Sequence, residues 1–171
     1  MKKLISSVLT IIFISISFGF TQYKKNSDFG TIQIPDGITI VVKDSNNKQI
    51  TLEPSEEIHQ LSVGKYCIDS WSIEREDENG NPWKLRGTGF GNKGKFTIIS
   101  DQVVKLSIGE TIVPSLIVRK EKSTYYISHY LKGQLSETIE ITKNGSRPDA
   151  PQLHIRNEDG SYQETLTFKY G

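Results

Sequence analysis

The sequence predicts an all-β protein, an antiparallel β-sandwich that follows an N-terminal signal peptide. From Thr31 to the C-terminal end, short runs of alternating apolar and polar residues recur, as in strands with one buried face. Glycine, proline, asparagine and aspartate separate these runs at intervals of about 8–12 residues. No segment after residue 21 keeps the helical period of about 3.6 residues for three turns. The mature chain is therefore expected to consist of strands and turns.

The first 21 residues predict export from the cell. Lys2 and Lys3 precede 17 residues without a charge, Leu4–Phe20. A basic start, an apolar middle and small residues near a cut before Phe20 or Gln22 are typical of a signal peptide. The apolar run also reaches the lower limit of about 17–25 residues for a membrane span. We therefore expect a periplasmic or extracellular protein, and a membrane-anchored protein with an uncleaved signal is the alternative.

Charge and cysteine content limit the partners and the chemistry. Without residues 1–21 the chain carries 19 basic and 20 acidic side chains, so a nucleic acid partner is not expected, and nothing indicates a cofactor. Cys67 is the only cysteine, so no internal disulfide is available and the core must supply the stability. We expect a buried small residue or an intermolecular crosslink here. A nucleophile is disfavoured because the neighbours Tyr66 and Ile68 are not electropositive.

The chain is expected to divide near Glu110–Pro114: Gly109-Glu110 ends the first half, and Pro114 just beyond it favours a strand start or a sheet edge. Two halves of about 80 and 60 residues would each bury only about 60% of the surface that their unfolded chains expose. We therefore expect the two halves to pack on one another. The predicted segments are a signal peptide (1–21), a linker (22–30), a β-sandwich domain (31–111), and a second β domain or continuation of the same sandwich (112–171).

Short alternating runs predict the strands on either side of the central region. The first four are Ile32–Ile34, Ile38–Val42, Ile50–Leu52 and Ile58–Ser62. The last five are Leu116–Val118, Tyr125–Leu131, Ile139–Ile141, Leu153–Ile155 and Leu166–Tyr170.

The central region predicts two hairpins. In the first, Gly64–Glu76 and Pro82–Gly89 flank the turn Asp77–Asn81, and Arg75 is expected opposite Trp83. This register gives an inward face of Trp71, Ile73, Trp83 and Leu85. The second hairpin is expected to pair Phe96–Ile99 with Val103–Ile108 across a turn at Ser100–Gln102.

The first strand of the first hairpin changes parity along its length. Tyr66 and Ile68 alternate out of phase with Trp71 and Ile73. Either both faces of the strand are covered there, or a β-bulge near Asp69–Ser70 re-aims the side chains.

One segment resembles a known family. Residues Leu61 to Ile68 read Leu-Ser-Val-Gly-Lys-Tyr-Cys-Ile and follow the strands predicted between Gly30 and Leu52. This pattern of leucine, small residue, glycine, any residue and tyrosine resembles the PEGA and carboxypeptidase-regulatory-like modules. The resemblance covers about Gly30 to Ile108. It implies a small exported β-sandwich that serves as an accessory module and lacks catalytic residues.

A glycine-rich segment nearly matches a phosphate-binding loop. Gly89, Gly91 and Gly94 fit a G-x-G-x-x-G pattern and Lys95 follows, but Phe96 stands where a P-loop needs serine or threonine. The P-loop and the dinucleotide-binding G-x-G-x-x-G loop both lead into a helix whose N-terminus contacts the phosphate. Here the following residues predict a strand instead. We therefore expect a connection between strands.

Other polar groups lack the spacing of a catalytic or metal site. Asp77, Asn79 and Asn81 alternate as calcium ligands would, but Gly80 precedes Asn81 and the EF-hand glutamate is missing, so a turn explains them. The three histidines are scattered, without metal-binding spacing: His59, His129 and His154. No catalytic and no metal-ligating residue is predicted.

The tyrosines near residue 128 are the leading candidates for binding. Tyr126 and Tyr130 share one face of a predicted strand, with Ser128 between them. If that face points outward, the two rings offer a surface that stacks a sugar ring or contacts a partner. Packing between strands or sheets is the alternative.

We therefore expect an exported, non-catalytic binding or structural module of the cell envelope or exterior, and not an enzyme. Its partner is expected to be a protein or a polysaccharide of the envelope. A glycan-binding module that uses Tyr126 and Tyr130 is the alternative. A hydrolase that pairs a histidine with a nearby carboxylate is the remote alternative.

Overall fold

The computed structural model describes residues 28–170, so the predicted signal peptide and most of the predicted linker lie outside the described residues. The described chain is all-β and has no α-helix, as predicted; a single 3₁₀ turn spans Gly91–Gly94. The strands are β1 (Phe29–Gln33), β2 (Ile38–Asp44), β3 (Gln49–Leu52), β4 (Ile58–Ser62), β5 (Gly64–Glu76), β6 (Pro82–Thr88), β7 (Lys95–Ile98), β8 (Val103–Lys105), β9 (Val113–Glu121), β10 (Thr124–Lys132), β11 (Thr138–Lys143), β12 (Gln152–Arg156) and β13 (Gln163–Thr167).

The strands form two packed sheets and a separate hairpin. The large sheet has the order β3-β2-β5-β6-β11-β10-β9, and β7 also pairs with β5. The small sheet has the order β4-β1-β8, and β12 pairs with β13 in the hairpin. Neighbouring strands are antiparallel except β1 and β8, which run parallel. The predicted antiparallel β-sandwich is thus confirmed, with one parallel pair.

The core lies between the small sheet and the β2–β5 part of the large sheet. Period-two alternation turns Ile32 of β1 and Ile40 of β2 into the same interior, where each is fully buried. Fifteen buried residues form this core: Ile32, Ile34, Ile38, Ile40, Val42, Leu52, Leu61, Tyr66, Ile68, Trp71, Ile73, Phe90, Ile98, Ile108 and Ile139.

The first predicted hairpin is confirmed in register. Arg75 pairs with Trp83 and Ile73 with Leu85, across the predicted turn. Trp71 and Ile73 are buried, whereas Trp83 is only half-buried at the end of the sheet, where the Lys143 ammonium lies 5.0 Å from the centre of its ring.

Of the two alternatives for the change of parity in this strand, the structure has the β-bulge, at Asp69. On β2, Val41 pairs with Ser70 and Val42 pairs with Ile68, so Asp69 is the extra residue on β5. Because the bulge shifts the alternation by one residue, Ile68 and Trp71 both reach the core.

The second predicted hairpin, Phe96–Ile99 with Val103–Ile108, is wrong. A turn does follow β7, and the Gln102 N–H donates to the Ile99 carbonyl at 3.2 Å. Its two arms, however, join different sheets: β7 pairs with β5, and β8 pairs with β1. The physical reason is that Gly64–Cys67 extends β5 past the end of β6, which leaves a free edge for β7 in the large sheet.

Strands on both sides of the boundary expected near Glu110–Pro114 belong to the large sheet. β11 pairs with β6 over six residues, and a turn at residues 133–137 joins it to β10. Ile139 of β11 is part of the core.

A buried carboxylate fixes this turn to the core. Glu137 is fully buried; its Oε1 accepts the Trp71 Nε1–H at 2.9 Å and its Oε2 accepts the Leu135 N–H at 2.8 Å. Neighbouring glycines leave the space for this contact. A Cβ at Gly133 would overlap the Glu137 carboxylate, and a Cβ at Gly87 would overlap the Trp71 indole.

Replacing Trp71 by phenylalanine tests this contact. We expect Trp71→Phe to lower the free energy of unfolding by about 2–4 kcal/mol, because the buried carboxylate loses a donor and the core loses volume. Trp83→Phe is the matched control: its indole is half-buried and donates to Asp77, which has other donors. We expect it to cost about 1 kcal/mol or less. Urea unfolding measures both, and equal losses would contradict the role of Glu137.

Candidate functional site

The hairpin formed by β9 and β10, residues Val113–Lys132, projects from the end of the large sheet. Its strands pair over nine residues, from Val113–Lys132 at the root to Glu121–Thr124 at the tip. Only one residue pair, Lys132 with Thr138, joins it to β11. Because the hairpin extends past its neighbour in the sheet, most of its length lacks a second layer of core.

The hairpin has two different faces. One face, called the groove face, carries Leu116 opposite His129 and Val118 opposite Ile127. The other face, called the outer face, has three cross-strand pairs: Ser115 with Tyr130, Ile117 with Ser128, and Arg119 with Tyr126.

Exposed apolar and tyrosine side chains concentrate on this hairpin. Of the fifteen large side chains of these types that are exposed in the described part of the chain, seven belong to the hairpin. They lie on both faces: Val113, Leu116, Ile117, Val118, Tyr125, Tyr126 and Tyr130. Soluble proteins rarely expose such a cluster without a binding role.

The structure places both predicted site tyrosines on the outer face. Tyr126 is 48% exposed and Tyr130 is 45% exposed, and about 13 Å of strand separates their Cα atoms. The Arg119 guanidinium lies 5.3 Å from the centre of the Tyr126 ring and also forms an exposed ion pair with the Glu121 carboxylate at 3.3 Å. Their role in binding stays a prediction.

The hairpin is positively charged in an otherwise acidic protein. It carries four basic side chains and one acidic side chain, net +3: Arg119, Lys120, Lys122 and Lys132 against Glu121. The other described residues carry 13 basic and 19 acidic side chains, net −6. Three of the four hairpin cations lie at the tip, where Lys122 has φ 55° in a two-residue turn with Ser123. The hairpin thus has a net charge opposite in sign to that of the other described residues.

A shallow groove of about 380 Å³ lies between the groove face and the end of the β12–β13 hairpin. His129 and Phe168 meet there with ring centres 5.6 Å apart. The groove is lined by Pro114, Ser115, Leu116, His129, Pro151, Gln152, Leu153 and Phe168.

Cys67 lies in more basic surroundings than its sequence neighbours indicate. It is half-buried on β5 and pairs with Lys43 of β2 on one side and Lys95 of β7 on the other. Directly opposite residues share a face of a sheet, so both lysine side chains lie on the same face as the Cys67 thiol. The expectation, drawn from Tyr66 and Ile68, that Cys67 has no basic neighbours is therefore wrong. The Lys43 ammonium, however, donates to the Asp69 carboxylate at 2.6 Å.

The Asp77 turn is explained by its own hydrogen bonds. The carboxylate accepts the Asn81 and Asn79 backbone N–H groups, the Asn81 side-chain amide and the Trp83 Nε1–H. The Asn81 N–H and then the other donors, which include Lys143, hold the pKa of Asp77 well below its usual range. Its oxygens serve the turn, as predicted.

The glycine-rich segment is a connection between strands, as predicted. The 3₁₀ turn Gly91–Gly94 leads directly into β7, and Phe90 anchors it in the core. The histidines lie on three different strands: His59 on β4, His129 on β10 and His154 on β12. Within residues 28–170, no group of three histidine, cysteine or acidic side chains has the arrangement of a metal site.

Comparisons with protein-family models, curated proteins and solved structures give no match to this chain. The resemblance of residues 30–108 to PEGA and carboxypeptidase-regulatory-like modules therefore stays a prediction. Over residues 28–170, no helix has the length and apolar character needed to cross a membrane.

Proposed function

We propose that the protein is an exported, non-catalytic binding module of the cell envelope or exterior, and that the β9–β10 hairpin is its binding surface. The observation that carries this proposal is the exposure of apolar and tyrosine side chains on both faces of the hairpin. Burying such side chains against a partner is favourable by about 25 cal/mol per Å² of apolar surface. The hydrogen bond from Trp71 to Glu137 ties the turn at the hairpin root to the core, which favours a preformed surface.

Three further observations support a binding role in the envelope. The basic start and uncharged run of residues 1–21 favour export. The resemblance of residues 30–108 to accessory β-sandwich modules favours a non-catalytic role. The cationic hairpin fits an envelope partner that is rich in acidic groups.

Replacing an apolar residue of the hairpin tests the proposed surface. Val118 and Val103 are both strand valines that are 59% exposed, and only Val118 lies on the hairpin. We expect Val118→Ser to weaken binding to the protein's own envelope fraction at least fivefold, and Val103→Ser to leave it unchanged. Both should alter the free energy of unfolding by less than about 0.5 kcal/mol. Co-sedimentation measures the binding, and equal effects of the two variants would contradict the proposal.

A glycan is the second candidate partner, because Tyr126 and Tyr130 share one exposed face. Aromatic side chains of this kind stack against the apolar faces of sugar rings. The Arg119 guanidinium beside Tyr126 adds a cation that favours acidic polysaccharides.

Tyrosine substitutions test the glycan candidate. We expect Tyr126→Ala or Tyr130→Ala to abolish binding to protein-free envelope polysaccharide without lowering stability. Tyr162→Ala is the matched control, because Tyr162 is 50% exposed but lies outside the hairpin. Co-sedimentation and thermal unfolding are measured together. If either hairpin variant unfolds the protein, the tyrosines are structural and this candidate is wrong.

A further inference from the structure

The free edge of β9 is the longest strand edge among the described residues. β9 ends the large sheet, and residues 28–170 supply no strand beyond it. It has nine residues, about 30 Å of strand, whereas the other terminal strands of the sheets have three to five. The far edge of β10 is open as well, from Thr124 to Leu131, because only Lys132 pairs with β11. A strand edge presents unpaired N–H and C=O groups that accept another extended chain.

Pro114 shows which groups β9 offers. A proline has no N–H, so within a ladder it fits a position whose N–H would point away from the neighbouring strand. Antiparallel residues alternate between bonding the neighbour and facing the opposite edge. The N–H and C=O groups of Leu116, Val118 and Lys120 therefore face the free edge, together with the Pro114 carbonyl.

The edge lacks the irregularity that usually prevents strand addition. The pairing of β9 with β10 runs through nine residues without a register shift, so no bulge twists the edge away. Residues of the kind that protect strand edges lie only toward its ends: Pro114 at one end, and Arg119, Lys120 and Glu121 at the other. Between them the edge sequence is Ser-Leu-Ile-Val, residues 115–118, with apolar side chains exposed on both faces.

Charge decides which strand fits this edge. The same edge of a second copy would bring two hairpins of net +3 together. The chain's own residues 22–27 are also basic, since they contain Lys24 and Lys25. Both are disfavoured by like-charge repulsion, whereas an acidic strand gains attraction from the net +3 of the hairpin, which remains after Glu121 pairs with Arg119.

We infer that β9 binds, by strand addition, an extended acidic segment of a partner protein in which acidic and apolar side chains alternate. This inference rests on the proposed function of the hairpin as a binding surface. The added strand continues the large sheet. Its apolar side chains cover Leu116 and Val118 on the groove face, and its carboxylates lie near Arg119 on the outer face.

Two blocked heptapeptides test the inference: Val-Glu-Val-Glu-Val-Glu-Val and the same peptide with lysine in place of glutamate. Titration at low salt is followed by the amide NMR signals of the hairpin. We expect the acidic peptide to bind saturably, to protect the Leu116 and Val118 amides from exchange, and to bind at least tenfold tighter than the basic peptide. Equal binding of both peptides, or no saturable binding, would overturn the inference.

Edge variants separate strand addition from other binding. Val118→Pro removes an N–H that faces the free edge, so it should weaken the binding of the acidic peptide at least tenfold. If this variant fails to fold, Leu116→Pro replaces it. Val118→Thr keeps the N–H and should weaken the binding of the acidic peptide less than threefold. If a folded proline variant binds the acidic peptide as tightly as the unchanged protein does, strand addition is overturned. If the protein self-associates and the proline variant does not, the edge binds a second copy of this chain, and the inferred acidic partner is overturned. If Val118→Ser loses the envelope partner but a folded proline variant keeps it, the binding surface stands and strand addition is wrong.

Discussion

The buried hydrogen bond between Trp71 and Glu137 is the constraint on which the C-terminal half of the fold depends. A carboxyl group in the interior is costly unless its oxygens have hydrogen-bond partners. Glu137 therefore has to lie where the Trp71 indole and the Leu135 N–H both reach it. The turn that carries Glu137 connects β10 to β11, so this requirement fixes the root of the hairpin against the core of the sandwich.

A hairpin fixed only at its root behaves differently from the rest of the sheet. The β2–β5 region is covered by the small sheet and supplies the core, whereas the β9–β10 hairpin has an open outer face and a groove face that the β12–β13 hairpin covers only near His129. Apolar side chains that would elsewhere be buried remain exposed there. The net charge of +3 on the hairpin, against −6 on the other described residues, favours anionic partners at this place in particular.

Local patterns predicted local structure well. The charges and turn residues around Asp77 were sufficient to predict the β5–β6 register. The change of parity in β5 left two alternatives, of which the structure has the bulge at Asp69. The prediction that β7 and β8 form a hairpin was wrong, because a turn sequence does not show whether the strands on its two sides join the same sheet. The sequence also gave no signal for the burial of Glu137, whose donor Trp71 is distant along the chain, or for the lysines that flank Cys67 from two other strands.

The most direct test of the hairpin as a preformed binding element is residue-resolved amide hydrogen exchange, with and without the protein's own envelope fraction. In the isolated protein we expect slow exchange at Ile117 and Arg119, whose N–H groups face β10, and fast exchange at Leu116 and Val118. On binding, the two fast amides should become protected. Fast exchange along all of β9 in the isolated protein, or protection that appears only at other strand edges, would contradict a preformed binding hairpin.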